Sequence, residues 1–326
     1  MKIYDIKSTS PYETLNLENI IMRDPDIKGD VLLFYQHKNA IIIGKNQNIY
    51  EEINEQFVKD NNITLARRKS GGGAVYHDLG NLNFSFISDK SDNNSYQKFL
   101  EPIIAFLNSL GIKAEFHGRN DILANGFKIS GNAQYLEKNR IVSHGTLLFD
   151  VDMTILAKAL NPNKIKYESK GIQSHRARVS NIKDLLPVKM SVQEFKDKLI
   201  QFFLKDPNNT LEEIPQDKYK NEFNKLKELF QSKEWIFNRF ADFTYTNTQK
   251  FPGGLITVKG LIEEGVIKQI KFEGDFLSKK DVSEIEPLFN NVAYDSKEIA
   301  KVLDKINLEE YFGTITKEEL LTLIKG

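Results

Sequence analysis

A run of three glycines, Gly71–Gly73, constrains this chain more than any other feature of its sequence. The run lies between a strand-like segment at 63–67 and the apolar residues 74–76. Glycine has no Cβ, so its backbone can adopt positive φ and approach a ligand closely. Successive exposed N–H groups can bind an anion, and the basic residues 67–69 place positive charge beside them. The segment therefore predicts an anion-binding loop, although three glycines alone are as typical of a flexible surface turn.

Several common site classes are excluded by what the sequence lacks. It contains neither G-x-x-x-x-G-K-[ST] nor G-x-G-x-x-G, so the loop is neither a P-loop nor a dinucleotide-binding fingerprint. The absence of cysteine excludes disulfides, thiolate metal sites and a cysteine nucleophile. Because 45 basic residues balance 45 acidic ones, broad nucleic-acid binding is not expected. With no signal-peptide pattern and no apolar run of about 20 residues, we expect a cytoplasmic protein that does not enter the membrane.

Strand patterns dominate the first half of the chain. The apolar runs at 31–35 and 40–44 predict buried strands. Residues 82–87 alternate, with Leu82, Phe84 and Phe86 on one side and polar residues on the other. This alternation predicts a strand with one buried face.

Helix and turn signals complete the expected architecture. An apolar stripe predicts a helix over 95–110 that ends before Gly111, and Ser191 with Glu194 forms a capping-box pattern. Similar caps at Asp295–Glu298 and Thr316–Glu319 predict two later helices, and Glu-Glu-Gly at 263–265 predicts a hairpin. Since the character of the sequence changes near residue 245, we expect an α/β domain over 1–245 and a small α+β domain over 246–326.

Several segments in combination resemble the lipoate–protein ligase family, of the two-domain A type. This family belongs to the biotin/lipoate ligase superfamily, which also includes octanoyltransferases. The resemblance covers most of the chain, and its motifs are specific together rather than singly. The matching segments are RRKSGGGAVYHDLGN (67–81), GRNDILANGFKISGNAQ (118–134), SHGTLLFDVD (143–152), LNPNKIKYESKGIQSHRARVSNI (160–182) and GGLITVKGLIEEGVIKQIKF (253–272).

The resemblance implies a fold and a two-step reaction. The fold is α/β (α+β), with a large mixed-sheet catalytic domain and a small α+β C-terminal accessory domain. Lipoate attacks the α-phosphate of ATP with the help of Mg²⁺, which gives lipoyl-AMP, and an acceptor lysine then displaces AMP. The implied acceptors are lipoyl domains of 2-oxoacid dehydrogenase complexes and the glycine-cleavage H protein. We expect a monomer, and the sequence does not separate lipoate from octanoate, because hydrophobic pockets discriminate weakly between such chains.

Lys128 is the predicted catalytic residue, because it matches the catalytic lysine of the family. Its position between Phe127 and Ile129 indicates a strand in which its side chain points away from theirs. A fixed cation there neutralises both the lipoate carboxylate and the α-phosphate, which otherwise repel each other. Without the resemblance, a solvated surface lysine would be the favoured interpretation.

The resemblance assigns further residues to lipoate, ATP, metal and adenylate binding. For His77, which with Asp78 suggests a catalytic dyad, a hydrogen-bonding role is favoured, since adenylation needs no protein nucleophile. Asp121 is assigned to Mg²⁺, an ion that prefers oxygen ligands, or alternatively to a turn or to Arg119. The basic residues Lys170, Arg176 and Arg178 are assigned to a loop that closes over the adenylate, although a solvated basic loop explains each one equally well. The lipoate and ATP set comprises Arg68, Ser70, Gly71, Gly72, Gly73, Ala74, Val75, Tyr76, His77, Asn83, Ser130, Gly131, His144, Gly145 and Thr146.

Three other functions are compatible with parts of the sequence pattern. A transferase that holds its acyl group on cysteine is excluded by composition, whereas one that accepts preformed lipoyl-AMP stays open. A biotin ligase is disfavoured because its loop has a Gly-Arg-Gly-Arg character, whereas residues 69–74 here read Lys-Ser-Gly-Gly-Gly-Ala. A non-catalytic lipoate-binding protein also stays open, but retention of Lys128 beside the glycine loop argues against it.

Overall fold

The structure, a computed structural model, describes residues 1–47, 49–91, 94–160, 179–237, 243, 245–263 and 265–325. The strands are β1 (Lys2–Asp5), β2 (Val31–Tyr35), β3 (Ala40–Ile43), β4 (Thr64–Arg67), β5 (Val75–His77), β6 (Asn81–Asp89), β7 (Ala114–His117), β8 (Asp121–Ala124), β9 (Phe127–Glu137), β10 (Arg140–Leu148), β11 (Thr210–Glu212), β12 (Tyr245–Phe251), β13 (Gly254–Glu263), β14 (Val266–Gly274) and β15 (Val292–Ala293). The helices are α1 (Pro11–Arg23), α2 (Ile49–Glu52), α3 (Glu55–Asp60), α4 (Tyr96–Ser109), α5 (Met153–Ala159), α6 (Ile182–Leu185), α7 (Val192–Leu204), α8 (Gln216–Gln231), α9 (Lys233–Phe237), α10 (Ser296–Leu303), α11 (Leu308–Phe312) and α12 (Lys317–Lys325), with 3₁₀ helices at Val282–Glu284 and Glu286–Phe289.

An eight-stranded mixed sheet forms the framework, in the order β11-β1-β2-β6-β10-β9-β8-β7. Strand β1 is parallel to both of its neighbours, and from β2 to β7 the pairing is antiparallel. A second sheet, in the order β4-β3-β5, has the glycine loop between β4 and β5. The predicted mixed-sheet α/β architecture is confirmed.

Strand β6 departs from the prediction that only one of its faces is buried. Its apolar side chains Phe84 and Phe86 belong to a core packed against α4 and α7. The polar face is buried as well, and Asn83 is only 2% exposed. Asn83 donates to the backbone oxygen of Tyr35 at 3.3 Å and accepts from Asn81 at 3.0 Å. Buried polar groups persist when they are hydrogen-bonded, so alternation here marks a buried polar face rather than a solvated one.

The predicted helix boundaries agree with the structure. Helix α4 begins after Ser95, whose hydroxyl accepts from the Lys98 backbone, and Gly111 follows its end with φ +85°. The capping box predicted at Ser191 and Glu194 starts α7. These signals are short-range, which is why sequence alone identifies them.

Residues 245–325 contain a third sheet, in the order β12-β13-β14-β15, covered by α10–α12. Their buried apolar side chains form a core of their own, which supports the proposed domain division near 245. The segment contacts the glycine loop, because Gly72 N donates to Phe276 O at 3.0 Å. Asn46 also donates to the Ser278 hydroxyl at 3.0 Å. Nowhere in the described part of the chain is a helix both long and apolar enough to cross a membrane.

Candidate functional site

A cavity of about 170 Å³ lies between the eight-stranded sheet and the glycine loop. One row of residues in register crosses its wall from β2 to β9, in which Tyr35 pairs with Asn83 and Asn83 pairs with Thr146. The Thr146 hydroxyl then accepts from Gly131 N at 3.2 Å. The lining residues are Leu15, Tyr35, His37, Ile42, Arg68, Gly72, Gly73, Ala74, Val75, His77, Asn83, Asn120, Lys128, Gly131, Asn132, Ala133, His144, Gly145 and Thr146.

Most of the predicted site residues line this cavity, but five described ones do not, among them Asp121, which instead pairs with the lining residue Lys128. Ser70 and Ser130 are fully buried behind it. Gly71 faces the C-terminal segment, where an added Cβ would lie 2.6 Å from Phe276 O. Tyr76 packs in a separate apolar cluster. The predicted adenylate-loop residues Lys170, Arg176 and Arg178 lie outside the described residues.

Other lining residues were not predicted from the sequence. Leu15, Tyr35 and His37 come from α1 and the end of β2, far upstream of the glycine loop. No local motif marks them, since only the sheet order brings them to the cavity. Asn132 and Ala133, in contrast, lie within the segment that resembles the ligase family and could have been found from it.

Arg68 holds the shape of the glycine loop. Its guanidinium donates to the carbonyl oxygens of Gly71 at 2.7 Å and Gly73 at 2.8 Å. It also donates to Ile42 O and to the Ser70 hydroxyl, each at 3.0 Å. Burial lowers the pKa of Arg68 to about 10, so it is positively charged at neutral pH. Arg68 therefore contributes a fixed cation and a fixed loop conformation, including the positive φ of +88° at Gly72.

Arg67 has a structural role, although it stands next to Arg68 in the sequence. It is 1% exposed and does not line the cavity. Its guanidinium donates to five backbone oxygens, so it joins the segment after β3 to helix α9. Those oxygens belong to Gly44, Lys45, Gln47, Trp235 and Ile236.

Lys128 lies at the β9 end of the cavity. Its ammonium forms an ion pair with Asp121 on β8 at 2.8 Å, and about a quarter of each side chain is exposed. At Gly131 an added Cβ would lie 3.2 Å from Lys128 Nζ, so glycine leaves room for this side chain. The site thus places a partly exposed cation in the same cavity as the glycine loop.

A buried network of hydrogen-bonded side chains connects helix α1 to the glycine loop. His144 contacts the Glu18 carboxylate through Nδ1 at 3.0 Å and the Ser70 hydroxyl through Nε2 at 2.7 Å. Burial opposes ionisation of Glu18, but His144 and the other polar groups around the carboxylate together outweigh that effect and keep the pKa of Glu18 below its usual value. Ser70 in turn accepts from Arg68, so the chain connects Glu18 on α1 to the glycine loop.

Known proteins with the same sequence pattern identify the family. The family described as "Lipoyl protein ligase A/B catalytic domain" matches residues 10–204, and "Bacterial lipoate protein ligase C-terminus" matches residues 241–324. Lipoate-protein ligase LplJ of Bacillus subtilis is 45% identical over 320 residues, which cover 96% of each chain. The chain belongs to the lipoate–protein ligase family. The predicted family and enzyme class are therefore confirmed.

Solved structures of similar proteins support the same assignment for this ligase. The P. falciparum LipL1 structure in complex with lipoate has a TM-score of 0.85 at 28% identity, covering 100% of this chain and 99% of that one. The structure of lipoate-protein ligase A bound with ATP has a TM-score of 0.61 at 28% identity, covering 72% of this chain and 98% of that one. The predicted fold class is that of these ligases.

The described residues of the ligase site provide too few side-chain ligands to hold a metal ion by themselves. Among the described residues, no three His, Asp or Glu side chains are grouped closely enough to hold a metal. Asp121 supplies one carboxylate beside Lys128. One or two carboxylates together with substrate phosphates are the usual ligand set for Mg²⁺, so this arrangement fits an ion that arrives with its nucleotide.

Two stacked histidines lie at the opposite end of the ligase cavity. The Nδ1 atoms of His37 and His77 are 3.0 Å apart, and His37 Nε2 contacts the Thr14 hydroxyl at 2.6 Å. Burial lowers the pKa of His37 to about 3 and that of His77 well below its usual range. Both rings are therefore neutral at neutral pH. The hydrogen-bonding role of His77 stays a prediction, and this contact with His37 supports it.

Proposed function

We propose that this ligase activates lipoate with ATP and transfers the lipoyl group to a lysine of an acceptor protein. The observation that carries the proposal is the position of Lys128. Its partly exposed ammonium lines the same cavity as the glycine loop, whose conformation is held by hydrogen bonds from Arg68. A carboxylate and a polyphosphate can meet there only if their charges are neutralised.

In the first step, a lipoate carboxylate oxygen attacks the α-phosphorus of ATP. The bond from that phosphorus to the β-phosphate oxygen breaks, and pyrophosphate leaves. Lys128 holds the carboxylate against the α-phosphate, and Gly73 with the charge of Arg68 lines the same cavity beside the reacting carboxylate. Asp121 would hold Mg²⁺, which neutralises phosphate charge when bound.

In the second step, the amine of the acceptor lysine attacks the acyl carbon. An amide forms, AMP leaves with the electron pair of the mixed anhydride, and the lysine loses a proton. We propose a lipoyl domain of a 2-oxoacid dehydrogenase complex or the glycine-cleavage H protein as the acceptor, with the ligase acting as a monomer in the cytoplasm. Lys170, Arg176 and Arg178 are proposed to protect the adenylate from water.

Transfer to an apo lipoyl domain tests the proposal. Purified ligase is incubated with the domain, lipoate, ATP and Mg²⁺. The mass of the domain is then measured by mass spectrometry to detect the added lipoyl group. A parallel reaction receives preformed lipoyl-AMP instead of lipoate and ATP. Modification in both reactions is expected. Modification only with lipoyl-AMP would indicate a transferase, and no modification in either reaction would indicate a binding protein.

A further inference from the structure

The carboxylate of Glu18 is buried near the cavity but does not line it. Glu18 stands on α1 and is 2% exposed, and the cavity lining does not include it. Its oxygens accept hydrogen bonds from His144 Nδ1 at 3.0 Å and from the Tyr135 hydroxyl at 3.3 Å. A buried carboxylate is costly unless it is hydrogen-bonded, so the positions of Glu18 and of these partners depend on one another.

The direction of the hydrogen bond between Glu18 and His144 is the same in every protonation state of the imidazole. The polar groups around Glu18 keep its pKa below its usual value, so at neutral pH the carboxylate is ionised and can only accept. His144 Nδ1 therefore carries a proton, whether the ring is neutral or charged. Its Nε2 contacts the Ser70 hydroxyl at 2.7 Å, accepting from it in the neutral ring and donating to it in the charged ring. In both states the ring is held between α1 and the glycine loop.

The other end of this network is the guanidinium that shapes the glycine loop. The Ser70 hydroxyl accepts from Arg68 Nε at 3.0 Å, and another nitrogen of the same guanidinium donates to the carbonyl oxygens of Gly71 and Gly73. Ser70 is fully buried and Arg68 is 8% exposed, so water does not readily replace a lost partner. A displacement of the His144 ring is therefore passed on through Ser70 to the part of the loop that lines the cavity.

We propose that Glu18 is a positioning residue, which acts through His144 and Ser70 to keep the glycine loop in the conformation that receives lipoate. This inference rests on the proposed function and adds to it a residue outside the cavity lining. Without an acceptor at Nδ1, the His144 ring is free to turn, and only a fraction of the molecules has the loop in the binding conformation. The apparent affinity for a ligand falls in proportion to that fraction. KM for lipoate should therefore rise, whereas kcat should change little, because saturating lipoate selects the binding conformation.

The test measures kcat and KM for lipoate by lipoate-dependent exchange of labelled pyrophosphate into ATP. Glu18→Ala is expected to raise KM about tenfold, which corresponds to about 1.4 kcal/mol, and to retain most of kcat. Glu18→Gln, whose amide oxygen can accept from Nδ1, should recover most of the wild-type KM. Glu13→Ala is the matched control, because Glu13 is a carboxylate on the same helix whose partners, Ser8 and Lys227, lie outside the cavity lining. Its KM should equal that of wild type.

A double-mutant cycle separates positioning through Ser70 from a general effect on the fold. Ser70→Ala interrupts the network between His144 and Arg68 and should raise KM by itself. If Glu18 acts through Ser70, adding Glu18→Ala to Ser70→Ala should raise KM no further, because coupled residues are not additive. Should Glu18→Ala fail to fold, ¹⁵N NMR of wild-type protein still tests the network. His144 Nδ1, assigned by the loss of its signal in His144→Gln, should carry a proton at neutral pH.

Three results would overturn the inference and leave the proposed function intact. They are an unchanged KM in folded Glu18→Ala, independent and additive increases in the double mutant, and an unprotonated His144 Nδ1 in wild type. A Glu18→Gln enzyme with a KM as high as that of Glu18→Ala would likewise contradict the role of the hydrogen bond. Wild-type enzyme that shows no lipoate-dependent exchange would instead overturn the proposed function.

Discussion

Replacing Lys128 by alanine should separate catalysis from folding. The Lys128–Asp121 ion pair is 2.8 Å long, with side chains 27% and 24% exposed. Partly exposed pairs of this kind contribute about 0–1 kcal/mol to stability. Lys128→Ala should therefore lower the free energy of unfolding by no more than about 1 kcal/mol. Lys183→Ala is a matched control, because it removes a 2.5 Å ion pair with Asp150 outside the cavity.

The catalytic effect should be much larger than the effect on stability. In adenylation two anions are brought together, and Lys128 is the cation at the point where they meet. Loss of one preorganised electrostatic group costs about 10²–10³ in kcat, or about 2.7–4 kcal/mol. We therefore expect Lys128→Ala to lose at least two orders of magnitude in adenylation, while Lys183→Ala retains the wild-type rate.

The assay is lipoate-dependent exchange of labelled pyrophosphate into ATP, with urea unfolding of the same samples as the test of folding. Asp121→Asn is measured beside Lys128→Ala. If Asp121 holds Mg²⁺, its variant should need more Mg²⁺ for half-maximal exchange, whereas Lys128→Ala should not recover at any Mg²⁺ concentration. A folded Lys128→Ala enzyme with the wild-type exchange rate would refute the electrostatic reasoning.

Other perturbations test the loop and the buried chain beneath it. Arg67→Met should lower the free energy of unfolding by about 3 kcal/mol in urea, because five backbone oxygens lose a charged donor. Gly145→Ala should cost about 2 kcal/mol in the same assay, since its Cβ would overlap Asn132 Oδ1 and lie 2.6 Å from Phe84 Cζ; Gly73→Ala, with no atom within 4 Å of its Cβ, should unfold like wild type. The depressed pKa of Glu18 means that its contribution to stability is present above its usual pKa of 4.5 and is lost as the pH falls below that value. Urea midpoints measured from pH 7 to pH 3 should therefore fall more steeply for wild type than for Glu18→Gln, and parallel curves would argue against a role for Glu18.

Local signals in the sequence predicted the elements well. The apolar run at 31–35 is β2, the capping box at Ser191 starts α7, and the 263–265 turn joins β13 to β14. Each of these depends on residues within one or two turns of the chain. The same locality explains why the segments that resemble the family contain Lys128 and the loop residues that line the cavity.

Residue roles that depend on long-range contacts could not be predicted from the sequence. Arg67 and Arg68 are adjacent and chemically identical, yet one binds the backbone around α9 and the other braces the glycine loop. The His37–His77 contact joins residues 40 positions apart. The first difference depends on how α9 packs against the small sheet, and the histidine contact depends on how the small sheet packs against the large one. No periodicity or short motif encodes either arrangement.

The most direct test of the account is pyrophosphate exchange by the wild-type protein. Labelled pyrophosphate, ATP, Mg²⁺ and purified ligase are incubated with lipoate, with biotin, or with neither acid, and label in ATP is counted. The account predicts strong exchange with lipoate and background exchange with biotin or with no acid. Background exchange with lipoate, in protein shown to be folded, would contradict it.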